Sequence, residues 1–207
     1  MSKHALFCAL FLALFALPAT AEDGCAPPIR ALAEHAAVEI MGTGDLDILV
    51  VTDPLCWHCR LGHKLLGEYP DKYRSYKLAF FPRRSFIGSD MAAWILRDAA
   101  GTPELKAKVD FAYSKLKQPK TDDLAQARAL ILVQFVDEFP GMLEGRTIDV
   151  LYAHLQKTQE ANVLVSASHG QAAGLPGTPI LIAGKHVVMG YGPGEWLSAI
   201  EQNAMCP

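Results

Sequence analysis

The sequence predicts an α/β fold in which a central mixed β-sheet is flanked by helices. Two β-rich segments, residues 47–52 and 75–81, lie on either side of a helical pattern at residues 56–68. This order is typical of a βαβ unit with a parallel strand pair. Residues 179–189 contain two apolar runs separated by a glycine turn, which predicts an antiparallel hairpin. Residues 89–173 have a helical pattern and predict a helical insertion between the β segments.

Turn and capping residues set the boundaries of the remaining predicted helices. In the insertion, we expect helices to begin near Ser89, Thr102, Thr121 and Thr147, because Ser and Thr are favoured helix caps. A fifth helix is predicted at residues 160–173. Two further helices are predicted outside the insertion, at residues 26–40, which contain two early prolines, and at residues 195–204.

The first 21 residues have the pattern of a cleavable signal peptide. A short polar start is followed by an apolar run at residues 5–17 and by the small-residue sequence Pro-Ala-Thr-Ala. We expect cleavage after Ala21 and export of the remaining chain. The alternative, a membrane anchor, is disfavoured because the run is short for a span and is followed by a cleavage-type sequence.

Composition and charge exclude some classes of function. Hydrophobic residues make up 51% of the chain and charged residues 20%, which is typical of a globular protein. The formal net charge is −3 at pH 7. A chain of this charge has no strong overall attraction to nucleic acid or to anionic lipid, so no nucleic-acid partner is expected.

Five cysteines carry most of the functional information. Cys8 lies in the signal segment, and four cysteines remain in the exported chain, where disulfides persist. If Cys56 and Cys59 bond to each other, Cys25 and Cys206 are left near opposite ends of the chain. Domain termini are often close in space, so a structural disulfide between them is plausible. The alternative is two free or intermolecular thiols.

Cys56 and Cys59 form a Cys-x-x-Cys motif between a predicted strand and a predicted helix. At the helix N-terminus, unpaired backbone N–H groups and the helix dipole favour the thiolate of Cys56, the attacking nucleophile. Cys59 lies one turn further and can resolve the mixed disulfide. We expect Trp57 and His58, which lie between the cysteines, to tune the redox properties of Cys56. Trp57 is expected to face outward beside the sulfur and to offer an apolar surface to a substrate chain.

Metal binding and a purely structural disulfide are the competing interpretations of this motif. A structural zinc site commonly uses four ligands from two such pairs, and the sequence has no second Cys-x-x-Cys. His63 is predicted to lie along the helix surface rather than to act as a ligand. Asp53 is expected to form the turn before Cys56, with influence on proton movement as its alternative role. We therefore predict no metal site and no cofactor.

The run V-T-D-P-L-C-W-H-C at residues 51–59, together with Gly177-Thr178-Pro179, resembles the thioredoxin-fold Dsb proteins. The likeness is greatest to the catalytic domain of the DsbC/DsbG disulfide isomerases. It implies a thioredoxin fold over residues 46–207 and a linker helix within residues 22–45. It also implies a cis bond at Pro179 and contact of the Thr178 backbone with an extended substrate segment.

The resemblance also implies a function. A periplasmic enzyme that forms or isomerises disulfides would act on exported cysteine-containing proteins and be reset by a membrane redox partner. Trp57-His58 departs from the usual isomerase residues, and residues 22–45 are too few for that family's N-terminal dimerisation domain. A homodimer formed another way stays possible. The competing classes are a peptide-binding chaperone and a metal-binding protein that uses the cysteine pair.

Overall fold

The computed structural model describes residues 23–202 and 204–206, and the predicted signal segment lies outside them. Within the described residues, five strands form one sheet in the order β1-β3-β2-β4-β5. The strands are β1 (Val38–Met41), β2 (Asp47–Thr52), β3 (Ser75–Phe80), β4 (Ile180–Ala183) and β5 (His186–Met189). The α-helices are α1 (Pro27–His35), α2 (Trp57–Glu68), α3 (Ser89–Asp98), α4 (Leu105–Ser114), α5 (Leu124–Glu138), α6 (Ile148–Ala172) and α7 (Pro193–Gln202).

The sheet is mixed, as predicted. Strands β2 and β3 run parallel and are connected by α2, whereas the other neighbouring strands pair antiparallel. Strand β2 is buried on both faces because helices cover both sides of the sheet. Ile48 and Val50 belong to one apolar core, and the alternating Leu49 and Val51 belong to a second core on the opposite face. This double burial explains why the β2 sequence is a continuous apolar run.

The prediction of a helix over residues 26–40 is wrong at its C-terminal end. The helix ends at His35, and Val38–Met41 form the edge strand β1, which pairs antiparallel with β3. Val38 and Ile40 are buried while Glu39 and Met41 are exposed. This alternation matches the period of a strand rather than that of a helix. The segment predicted as a linker helix therefore contains both α1 and an integral strand of the sheet.

The prediction of two helices after Thr147 is also wrong. One helix, α6, runs for 25 residues, because neither glycine nor proline interrupts the sequence before Gly170. Leu151, Leu155 and Val163 are buried along its length. Helix α6 packs against α3 and α5 of the insertion and also against α1 and β3. It therefore belongs to the insertion and to the sheet layer at once.

The two ends of the described chain meet at the β4–β5 turn. Cys25 and Cys206 are joined by a disulfide with a Cα–Cα distance of 5.5 Å. The backbone N–H of Gly24 donates to the Lys185 carbonyl at 2.9 Å, and the Lys185 N–H donates to the Ala204 carbonyl at 2.8 Å. The disulfide thus closes a loop that contains almost the whole described domain.

Candidate active site

The Cys-x-x-Cys motif lies where β2 passes into α2. Strand β2 ends at Thr52, and Cys56 is the N-cap residue of α2 in an extended conformation. The N–H of Cys56 donates to the Asp53 carbonyl at 3.1 Å, which closes a tight turn. Cys56 and Cys59 are both free thiols and are only 5% and 2% exposed. The N-terminus of α2 therefore directs its unpaired N–H groups toward Cys56, as the motif predicts.

Thr178 and Pro179 lie beside this turn. Strands β2 and β4 pair antiparallel with Val51 opposite Ile180, so the residues just before β4 face the residues just after β2. The Cys56 sulfur lies 3.9 Å from the Thr178 carbonyl oxygen, to which the thiol donates when it is protonated. The Thr178–Pro179 peptide bond is cis. The structure thus brings together two motifs that are about 120 residues apart in the sequence.

The two thiols have opposite acid–base properties. The pKa of Cys56 is lowered to about 5, first by a hydrogen bond from the Cys59 thiol and then by the backbone N–H groups of Cys59 and His58. The pKa of Cys59 is raised far above its ordinary value by burial and by the neighbouring Cys56 thiolate. At neutral pH, Cys56 is therefore a thiolate and Cys59 retains its proton.

Asp53 is a buried carboxyl group that connects three segments of the site. Its Oδ1 accepts a hydrogen bond from the Leu55 N–H at 2.8 Å, which is the predicted turn role. Its Oδ2 accepts from the Arg83 N–H at 2.8 Å and from the Ser89 hydroxyl at 3.0 Å. Burial raises the pKa of Asp53 to about 7 despite these three donors. Its backbone N–H also donates to the Cys59 sulfur at 3.4 Å.

The residues between the cysteines face solvent. The Trp57 side chain is 66% exposed and forms an apolar surface next to Cys56. His58 is also exposed, and its backbone N–H is one of the groups that lower the pKa of Cys56. A redox role for the His58 imidazole stays a prediction.

The prediction that His63 lies along the helix surface is wrong. Its Nδ1 pairs with the Tyr76 hydroxyl at 2.9 Å, and its Nε2 pairs with an Asp110 carboxylate oxygen at 3.1 Å. The ring also stacks on Tyr113, and burial lowers the pKa of His63. The face of α2 that carries His63 is covered by α4, a contact that the local pattern of α2 did not indicate.

Tyr113 is a site residue that the sequence did not reveal. It is fully buried near Cys59, and its hydroxyl pairs with the Thr52 hydroxyl at 3.0 Å. The pKa of Tyr113 is raised well above its ordinary value by burial and by the nearby Cys59. Because Tyr113 lies in the insertion, no motif near the cysteines could have indicated this position.

None of the helices in the described part of the chain combines the length and apolar character needed to cross a membrane. Over the same residues, no group of three or more His, Cys, Asp or Glu side chains is arranged to hold a metal ion.

Known structures have the same overall architecture. A periplasmic thioredoxin-like protein from Salmonella enterica serovar Typhimurium is similar with a TM-score of 0.60 and 18% identity, over 86% of this chain and 97% of that chain. The fold is thioredoxin-like. ScsC from Proteus mirabilis in a compact conformation is similar with a TM-score of 0.63 and 14% identity, over 89% of this chain and 80% of that chain.

A third similar structure is the thiol-disulfide exchange protein alpha-DsbA2 from Wolbachia pipientis, with a TM-score of 0.58 and 14% identity. The match covers 84% of this chain and 93% of that chain. Neither models of known protein families nor curated protein sequences match this chain. The similar structures include DsbA-type and ScsC-type proteins, so the narrower likeness to DsbC and DsbG stays a prediction.

Proposed function

We propose that this protein is a thiol–disulfide oxidoreductase that forms or isomerises disulfide bonds in exported proteins. One observation carries the proposal. Cys56 is a free thiol at a helix N-terminus with a pKa of about 5, and the neighbouring Cys59 keeps its proton. A stable thiolate beside a buried resolving thiol is the arrangement that disulfide exchange requires.

The proposed reaction begins with the Cys56–Cys59 disulfide. A substrate thiolate attacks the Cys56 sulfur, forms a mixed disulfide and displaces Cys59, which takes up a proton. A second substrate thiolate then attacks the substrate sulfur of the mixed disulfide and displaces the Cys56 thiolate. The substrate gains a disulfide, and the enzyme receives two electrons. For isomerisation, the Cys56 thiolate of the reduced enzyme instead attacks a wrong substrate disulfide, forms a mixed disulfide and releases one substrate thiolate. Another substrate thiolate then attacks the substrate sulfur of the mixed disulfide and displaces Cys56, so no net electron transfer occurs.

The low pKa of Cys56 favours the oxidising direction. Stabilising the thiolate stabilises the reduced form, which makes the disulfide form the better oxidant. The proposed substrate segment lies against the Thr178–Pro179 loop, whose carbonyl already contacts the Cys56 sulfur. The predicted signal peptide supports a periplasmic location, where a membrane redox partner would reset the cysteine pair. We also propose that the protein can form a homodimer.

Two cysteine variants and a redox titration test the proposed function. We expect Cys56→Ser to abolish oxidation of a reduced dithiol peptide, because the oxygen cannot form the mixed disulfide. When Cys59→Ser is mixed with an oxidised substrate, its Cys56 thiolate should attack the substrate disulfide, release one substrate thiolate and accumulate as a mixed disulfide, because the resolving thiol is lost. Equilibration with glutathione should give a reduction potential well above about −270 mV, the value of thioredoxin. A potential below about −300 mV would indicate a structural disulfide and contradict the proposal.

Refolding assays separate the two directions of the proposed reaction. Reduced ribonuclease requires disulfide formation, whereas scrambled ribonuclease requires isomerisation. We expect the disulfide form of the enzyme to regain ribonuclease activity from the reduced substrate. Recovery from the scrambled substrate by the reduced enzyme would add isomerase activity. If Cys56→Ser refolds both substrates as well as the unsubstituted protein, the peptide-binding chaperone becomes the better interpretation.

A further inference from the structure

A cleft lined by basic side chains begins beside the active-site turn. Its first part has a volume of about 440 Å³ and is bordered by Leu55 and Trp57, the two neighbours of Cys56. Gln118 lines both this part and a second part of about 650 Å³. We call the two parts together the basic cleft, after five lining residues: Arg60, Arg84, Lys115, Lys117 and Lys120.

Most of the positive charge in the basic cleft is not neutralised. Asp122 is the acidic residue that lines it, and Lys115 is paired with Glu138 at 2.8 Å. Within residues 23–202 and 204–206, no carboxylate lies within 4.0 Å of the side-chain nitrogens of Arg84, Lys117 or Lys120. This excess is local, because the whole chain has a net charge of −3. The cleft therefore attracts negative charge toward the cysteine pair.

Hydrogen bonds fix the shape of the basic cleft. Gln134 of α5 accepts from the Lys117 N–H at 2.8 Å and donates to the Lys117 carbonyl at 3.0 Å. Across the cleft, the Gln118 amide donates to the Ser85 carbonyl at 3.3 Å. The Arg60 guanidinium donates to the carbonyls of Pro54 and Leu116, which connects the active-site turn to this wall. The charged groups are thus held on a preformed surface, which lowers the entropic cost of binding.

We propose that the basic cleft binds an acidic segment of the substrate protein next to its reacting cysteine. The proposal rests on the proposed function and specifies its substrate class. Charge complementarity identifies the partner, and the continuity of the cleft with Leu55 and Trp57 places that partner beside the Cys56 sulfur. Electrostatic attraction of this kind accelerates encounter and selects among substrates more than it strengthens the final complex.

Dithiol peptides provide the test. Two peptides carry the same pair of cysteines, flanked by Asp and Glu in one and by Asn and Gln in the other. Each peptide reduces the Cys56–Cys59 disulfide and becomes oxidised itself. Two electrons pass to the protein, Cys59 takes up one proton, and at neutral pH the second proton is released to solvent because Cys56 leaves as a thiolate. Each rate is divided by the rate of the same peptide with the neutral bis(2-hydroxyethyl) disulfide, which corrects for differences in thiol pKa. We expect the acidic peptide to react about ten-fold faster at low salt, and the advantage to shrink as salt is added.

A charge-matched pair of variants localises the effect. Lys117→Glu/Lys120→Glu should remove or reverse the preference for the acidic peptide. Lys157→Glu/Lys185→Glu makes the same change in net charge at exposed positions outside the cleft and should retain the preference. Because the readout is a ratio of two rates for one variant, a partial loss of folded protein does not affect it.

The possible outcomes separate this proposal from the proposed function. Equal normalised rates for the two peptides, or loss of the preference in both double variants, would overturn the docking proposal and leave the exchange activity intact. Failure of every peptide and of bis(2-hydroxyethyl) disulfide to react with the protein would overturn the proposed function itself. Equal peptide rates combined with cosedimentation of the protein with phosphatidylserine vesicles would assign the cleft to an anionic membrane surface instead.

Discussion

The two cysteine pairs of this protein differ in redox state and in their place in the fold. Cys56 and Cys59 are three residues apart in one helical turn, and their thiols are free. Cys25 and Cys206 are 181 residues apart and are joined by a disulfide. The first pair lies where helix N–H groups and a neighbouring thiol stabilise a thiolate, whereas the second connects two terminal segments outside the helices. Position in the fold, rather than residue type, therefore distinguishes a pair with a stabilised thiolate from a pair that is joined by a disulfide.

The two pairs are expected to differ most in their contribution to the free energy of unfolding. Replacing both terminal cysteines, Cys25→Ala/Cys206→Ala, should lower the free energy of unfolding by up to about 5 kcal/mol, because the closed loop is long. Urea denaturation of the protein with Cys56 and Cys59 oxidised measures this loss. The rate of peptide oxidation should not change, because the terminal pair lies outside the reacting atoms. If this variant also lost its exchange activity, the terminal pair would contribute to the reaction, and the two pairs would not have separate roles.

The second prediction concerns the reactivity of Cys56. In the reduced protein, the rate of Cys56 alkylation by iodoacetamide should reach half of its maximum near pH 5. In the denatured chain, the alkylation rate of the thiols should instead reach half of its maximum near the ordinary cysteine pKa of about 8.5. Mass spectrometry identifies which cysteine is modified at each pH. Cys59→Ala should raise the midpoint, because it removes the first hydrogen-bond donor to the thiolate.

The same shift makes the stability of the reduced protein depend on pH. A lowered pKa stabilises the fold fully above the ordinary value of about 8.5, and this contribution is lost as the pH falls through about 5. The disulfide form has no such dependence, because its sulfurs do not titrate. A folded-state midpoint near the ordinary value would contradict the assignment of Cys56 as the nucleophile.

The smallest predicted effect concerns Asp53, the buried carboxyl group behind the reactive pair. Because its pKa is raised from 3.8 to about 7, protonated Asp53 stabilises the fold at low pH, and this contribution is lost as the pH rises through about 7. Between about pH 4 and pH 7, the stability of the unsubstituted protein should fall relative to Asp53→Asn by about 1.4 kcal/mol per pH unit. Urea denaturation over this range measures the difference.

Asp47→Asn is the matched control for that prediction. The hydrogen bond from Arg74 lowers the pKa of Asp47, so its contribution is lost as the pH falls. The difference between the unsubstituted protein and Asp47→Asn should therefore have the opposite sign of pH dependence. Parallel pH profiles for Asp53→Asn and the unsubstituted protein would show that Asp53 has an ordinary pKa and is not buried as the structure places it.

Local sequence patterns were sufficient to predict the βαβ unit, the terminal hairpin and the position of Cys56 at a helix start. These features depend on residues that are close in the chain, and the hydrophobic period of a helix differs clearly from that of a strand. The resemblance to Dsb proteins, rather than a local pattern, predicted that Thr178 and Pro179 lie beside Cys56. Strand β1 was missed because four residues after a helix are too few to establish a period of two. The continuity of α6 was missed because polar residues such as Glu160 looked like a new helix start.

The surroundings of the thiols could not be predicted, because they depend on how the insertion packs. Tyr113 approaches Cys59 only when α4 lies against α2, and the helical pattern of α4 does not indicate its neighbour. The same is true of Lys117 and Lys120, which form one wall of the basic cleft. Their spacing in the sequence is typical of any solvated loop. The hydrogen bonds between the Lys117 backbone and the Gln134 side chain hold this loop in place as a wall of the basic cleft.

The 25-residue length of α6 has a consequence for the rigidity of the surface around Cys56. At 1.5 Å per residue, the helix is about 37 Å long and passes from the insertion to the sheet without a glycine or proline before Gly170. Arg97 of α3 donates to the His35 carbonyl at 3.0 Å, and His35 in turn pairs with the Asn162 carbonyl of α6 at 2.8 Å. These hydrogen bonds tie the insertion to α1 and hold it against the sheet layer. Under the proposed function, a substrate polypeptide would therefore have to match a preformed arrangement of charge and shape around Cys56.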